Sequence, residues 1–178
     1  MGCEFHEGKG PPAMSAQVPI IRAAGEGDQR SFLGGGKHTW KLMTDDTDGA
    51  FFLFEDVMER GKCTPLHRHP EADETVYLIE GEILVNVDGK ETRVGAGGVT
   101  FTPKGVPHAF LVLSETARVL TFQTPGIGQA FYRDASEPAT DDTLMGTVDI
   151  ARLQASAKAN PRGVELLGPP PFDATKAS

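Results

Sequence analysis

The chain has 178 residues, a formal charge of −8 and 39% apolar residues, enough for one domain with its own core. The acidic balance argues against a nucleic-acid partner, because phosphate backbones repel it, and no apolar run approaches the roughly 20 residues that span a bilayer. Twenty-one glycines and thirteen prolines point to many tight turns and hence a β-rich chain.

Residues 1–17 are rich in Gly, Pro and small polar residues and are expected to be disordered. They contain no apolar stretch of the secretion-signal kind, and His6 stands where a myristoylation signal needs Ser or Thr. Met14-Ser15 could serve as the native start. A cytoplasmic protein with reduced thiols is expected. Cys3 falls in the tail and Cys63 in a strand, so a disulfide is not expected and Cys63 reads as a small hydrophobe.

From Val18 the chain reads as structured. "TWKLM" (39–43) and "GAFFLFEDVME" (49–59) are strands joined by a hairpin turn closed at Asp48-Gly49. The intervening "TDDTDG" also has the spacing of a calcium loop, but Thr44 stands at its first position and its flanks read as strands, so the turn is preferred. Strands follow at 75–79, 82–87, 91–94, 99–103, 108–113 and 118–124, with a second Asp-Gly turn at Asp88-Gly89. That many short strands with turn residues between them predict an antiparallel sandwich or barrel. After Pro125 the pattern changes. A short helix is predicted over 128–136 and a longer one over 148–159, with Ile150, Leu153 and Ala157 sharing a face. Gly163 and the prolines at 169–171 are expected to end the packed chain.

The chemistry concentrates at "PLHRHPEADETVYLIEG" (65–81). In an extended segment, residues two apart share a face at about 6.5–7 Å, so His67 and His69 project the same way, and Pro65 and Pro70 disfavour a helix there. Glu74 heads a strand whose same-face neighbours Val76 and Leu78 are apolar. A carboxylate on such a face is costly unless compensated. His108 likewise opens a strand with Phe110 and Val112 on its face. Three imidazoles and one carboxylate converging inside a barrel make a divalent transition-metal site. Burying them without an ion would leave several polar groups unpaired. His6 and His38 read as a tail residue and a strand-end residue, and Glu71 and Asp73 as solvated loop acids.

The spacing Gly61-x5-His67-x-His69-x4-Glu74-x6-Gly81, then Gly97-x5-Pro103-x-Gly105-x2-His108, resembles the two motifs of the cupin superfamily. Val112 stands where the second motif commonly has Asn. The resemblance implies an all-β fold, the cupin double-stranded β-helix or jelly-roll barrel, over residues 18–125. A short helical C-terminal extension would occupy 126–178. It also implies one metal ion held by His67, His69, Glu74 and His108, and dimerisation through sheet edges. Iron, nickel, manganese, copper and zinc all suit the donor set. The expected substrate-binding wall is Val76, Leu78, Phe101, Phe110 and Val112, an apolar lining suited to a small aromatic, phenolic or enolic molecule. "TPGIGQAFYRDASEP" resembles the segment after the barrel in small bacterial quercetinase-like cupins. By that resemblance the chain is a metal-dependent dioxygenase like the quercetin 2,3-dioxygenases, with Glu74 as ligand and catalytic base. A non-catalytic metal-containing binding protein and a cupin isomerase are the alternatives; the isomerase would need polar residues on the barrel lining.

Overall fold

A computed structural model describes residues 18–139 and 148–173; the tail 1–17 lies outside them. Among the described residues, twelve strands and two α-helices follow in chain order. The strands are β1 (Asp28–Phe32), β2 (Lys37–Leu42), β3 (Phe52–Glu59), β4 (Leu66–Arg68), β5 (Asp73–Glu80) and β6 (Glu82–Val87), then β7 (Lys90–Gly95), β8 (Val99–Thr102), β9 (His108–Val112) and β10 (Thr116–Thr124). Helix α1 (Gln129–Asp134), β11 (Ser136–Pro138), α2 (Ile150–Ala159) and β12 (Glu165–Gly168) complete the chain.

Two antiparallel sheets face each other. One has the order β11-β1-β2-β3-β10-β5-β8 and the other β12-β4-β9-β6-β7. The expected all-β barrel is therefore present, and the C-terminal segment adds a strand to each sheet: β11 pairs with β1 and β12 with β4. The helices fall close to where they were expected. Asp149 caps α2 by accepting from the Arg152 amide at 2.9 Å, which satisfies an orphan donor of the first turn. Leu153 and Ala157 are buried, but Ile150 is 50% exposed, so the packed face is narrower than its periodicity suggested.

The period-2 rule explains the interior. In β3 the inward set is Phe52, Phe54, Asp56 and Met58, and in β5 it includes Glu74, Val76 and Leu78. Trp40, Phe52, Phe54, Phe131 and Tyr132 belong to one core cluster, to which α1 contributes its two aromatic residues. Met58, Leu78, Ile83, Val112 and Val119 belong to a second. The turn between β6 and β7 holds both Asp88 and Gly89 at positive φ, 50° and 77°, the geometry that Asp-Gly supplies for a tight hairpin. Between β2 and β3 the chain takes a 3-10 turn at Asp45–Thr47 before Asp48 and Gly49 adopt positive φ. Asp46 there accepts from the Met43 amide at 2.8 Å, and among the described residues no group of metal-ligating side chains includes it. The segment is a turn.

A candidate metal centre between the two sheets

His67 lies in β4, His69 one residue beyond its end, and His108 at the start of β9, directly opposite His67. These three come from the same sheet. Glu74 faces them from β5 in the other sheet, flanked by Gln123 and Thr102 on the neighbouring strands. All four are buried. The ligand-capable atoms of the three histidines lie within 4.8 Å of one another, and their ring centroids are 4.3–5.2 Å apart.

The tautomers follow from the backbone. Nδ1 of His67 lies 2.8 Å from the Pro65 carbonyl, Nδ1 of His69 lies 2.8 Å from the Gly163 carbonyl, and Nδ1 of His108 lies 3.0 Å from the Val106 carbonyl. A carbonyl only accepts, so each Nδ1 must donate. In a neutral ring that leaves each Nε2 as a lone pair. Glu74 stands beside two of these atoms, with Oε2 3.0 Å from His69 Nε2 and Oε1 3.3 Å from His108 Nε2. A lone pair cannot donate to a carboxylate oxygen, and both Nε2 atoms remain buried without a hydrogen-bond partner. Orphaned imidazole lone pairs around a carboxylate fit a divalent cation, with Nδ1 tied back as metal-binding histidines usually are. One of those ties, Gly163, comes from the segment between α2 and β12. Glu71 and Asp73 stay outside the site. Glu71 pairs with Arg162 on the surface, and Asp73 accepts from the Lys104 amide at 2.8 Å.

Charge in the cluster is strongly coupled. Burial, and then the neighbouring His108 and His69, hold His67 well below the usual imidazole range. Burial pushes Glu74 up, but His69 and His108 pull harder, and its carboxyl ends well below the usual range. Burial would lower His108, yet the Glu74 carboxylate raises it on balance. Unfolded His67 takes up a proton as pH falls below 6.5 while the folded ring refuses it, so its contribution is intact above 6.5 and is lost below. Compared with His67→Asn, the metal-free wild type should lose about 1 kcal/mol more stability between pH 7.5 and 5.5. Urea midpoints at the two pH values measure this, and parallel losses would contradict it.

The lining differs from the sequence expectation. Val76 and Phe110 do border a chamber of about 50 Å³ next to His67 and Glu74. Leu78 and Val112 are fully buried in the second core cluster instead, since each further inward residue along a strand lies about 6.5–7 Å farther from the ligands. Phe101 is 60% exposed. It sits on edge strand β8 opposite Thr75, on the outer face with Val99 and Tyr77, while Thr102 takes the inward position opposite Glu74.

Polar groups fill much of the wall that was expected to be apolar. Tyr132 from α1 donates to Glu74 Oε2 at 3.4 Å. Burial, followed by the charges of Glu74 and Asp56, holds its phenol well above the usual range. His38, read as a strand-end residue, is 1% exposed, stacked between Phe32 and Phe54, with Nε2 3.3 Å from Asp56 Oδ2. Lys62 is buried too, and desolvation, opposed in part by Asp56 and Cys63, lowers it to about 8. The signal for Asp56 was in the sequence: it shares the alternation of Phe52, Phe54 and Met58 in "FLFEDVM". His38 likewise shares a face with Trp40. Lys62 lies in a turn, where periodicity says nothing.

The cupin domain family matches residues 54–122, the span that carries all four site residues. A quercetin 2,3-dioxygenase of Bacillus subtilis is 27% identical over 121 residues, 68% of this chain but only 36% of that protein, so the chain spans about a third of its length. The tetracenomycin polyketide synthase protein TcmJ of Streptomyces glaucescens is 31% identical over 149 residues, covering 79% of this chain and 96% of TcmJ. Among solved structures, KdgF from a Halomonas species superposes with a TM-score of 0.55 at 18% identity, over 61% of this chain and 94% of that one, which supports the fold. Two facing antiparallel sheets, the spaced histidines and a full-length relative at this identity lead to one conclusion: the chain belongs to the cupin family.

Proposed function

We propose that this cupin binds one divalent transition metal through His67, His69, His108 and Glu74 and acts on a small phenolic or enolic molecule, with oxygen-dependent cleavage as the reaction. The observation that carries the reading is the set of three imidazoles whose Nδ1 atoms are each tied to a backbone carbonyl, which leaves each Nε2 free to bind an ion, with the ligand-capable atoms of the three rings within 4.8 Å of one another and Glu74 beside two of them. A bound metal would supply Lewis acidity toward a substrate oxygen and, if redox-active, access to dioxygen chemistry. The rest falls to the protein. Glu74 is positioned to take the proton of an enol or phenol, and Tyr132 holds its Oε2 oxygen. Val76 and Phe110 supply apolar surface to the chamber. The relatives support the substrate class: one is named for quercetin, and TcmJ and a second Streptomyces protein, CurC, for polyketide synthesis. Polyketides are built from enolisable β-dicarbonyl units.

The polar wall favours a second reading, non-oxidative isomerisation or ring closure of the same substrates by acid–base chemistry. Oxygen uptake separates the two. Iron-, nickel- and manganese-loaded protein should consume oxygen with flavonols or β-diketones. Product formed without uptake would favour the second reading, and no turnover with any pair would contradict both.

A further inference from the structure

His38, Asp56 and Lys62 come from β2, β3 and the turn after β3, yet all three border the chamber that holds His67 and Glu74. Lys62 is 4% exposed, and its ammonium lies 5.3 Å from the Phe32 ring centroid. Among the described residues it donates one hydrogen bond, to the Gly34 carbonyl, which leaves two of its three N–H groups without a protein acceptor. Asp56 is 5% exposed. Its Oδ2 faces His38, but its Oδ1 is buried with no hydrogen-bond partner. The Asp56 charge acts on Lys62, but the two make no ion pair within 4.0 Å among the described residues. A buried ammonium with spare donors beside a carboxylate oxygen with no donor is costly as it stands. The pair is complementary to one oxygen function: Lys62 can donate to the oxygen, and Asp56 Oδ1 can accept its hydrogen.

The cavities give this pair a position on a route. The chamber shares Phe32, Lys62, Thr64, His67 and Tyr132 with a neighbouring pocket of about 50 Å³. That pocket in turn shares Pro65, Leu153 and Leu166 with a surface groove of about 560 Å³ beside α2 and β12. Lys62 stands at the junction of the two inner spaces. Apart from histidine it is the one cationic side chain lining either of them among the described residues.

We propose that Lys62 and Asp56 form a hydroxyl-binding subsite, which holds a hydroxyl group of the substrate other than the oxygen bound at the imidazole triad, with His38 as the positioning residue behind Asp56. The proposal rests on the phenolic or enolic reading above and assigns which part of such a molecule is recognised at this wall.

Catechol and pyrogallol test it, because pyrogallol carries one hydroxyl beyond a chelating pair. Calorimetry on zinc-loaded protein without oxygen should show wild type binding pyrogallol at least about tenfold tighter than catechol, the scale of one charge-assisted hydrogen bond. Lys62→Met should erase that advantage, leaving catechol affinity and zinc content unchanged. The double variant Lys62→Met/Asp56→Asn should do the same without stranding a buried carboxylate, which covers poor folding of the single variant. An advantage that survives in both variants, or is absent from wild type, overturns the subsite alone. If zinc-loaded wild type binds neither compound, the phenolic reading fails and the subsite falls with it.

Discussion

His69→Ala is expected to lose metal almost completely, with affinity reduced more than about 100-fold. Replacing an outer partner of a ligand already costs 10–100-fold, and His69 is both a proposed ligand and the ring tied to Gly163. Its Nε2 lies 3.0 Å from Glu74 Oε2 and its Nδ1 2.8 Å from the Gly163 carbonyl. The substitution therefore also cuts the hydrogen bond that joins the site to the segment between α2 and β12. Elemental analysis after dialysis against excess metal reads the first effect. The control is His38→Gln, an equally buried histidine paired with Asp56, which should keep its full metal content. Equal metal in both variants would show that the triad does not hold the ion.

Trp40→Ala should be the most damaging single change to stability. Trp40 has no exposed surface and packs its ring against Phe52, Phe54 and Tyr132 at centroid distances of 5.2–6.3 Å. Deleting a buried indole costs about 3–5 kcal/mol, a large part of the roughly 5–15 kcal/mol that holds a domain together. The effect should reach the site, because Tyr132 leans on Trp40 and also holds Glu74. A denaturant midpoint for metal-free protein measures the loss. A change below about 1 kcal/mol would mean that the aromatic cluster does not organise the barrel.

The parts of this structure legible in the sequence are those governed by local rules. Asp88-Gly89 forms a turn because both residues accept positive φ, and the strands around it follow alternation. The triad could be read because two of its histidines are neighbours along one extended segment and the third opens a strand with the same inward face. Long-range pairing was not legible. β12 lies against β4 nearly a hundred positions earlier in the chain, and "ELLG" carries no pattern that names its partner. The polar wall was missed for another reason. His38, Asp56 and Lys62 lie in three separate segments, and although alternation marks His38 and Asp56 as inward, only the fold puts all three in one chamber. Phe101 shows the opposite error: an aromatic residue near the motif reads as lining, but its strand lies at the sheet edge and turns it outward.

One ion is expected to sit among the three Nε2 atoms. X-ray absorption of the nickel-loaded protein, prepared by titrating metal-free protein to saturation, tests it most directly. The expected result is one nickel per chain with three imidazole nitrogens and oxygen donors in its shell, and one imidazole fewer in His108→Ala if that variant still takes up the ion. A saturated protein whose nickel shell held fewer than three imidazoles, or was unchanged in His108→Ala, would contradict the site proposed here.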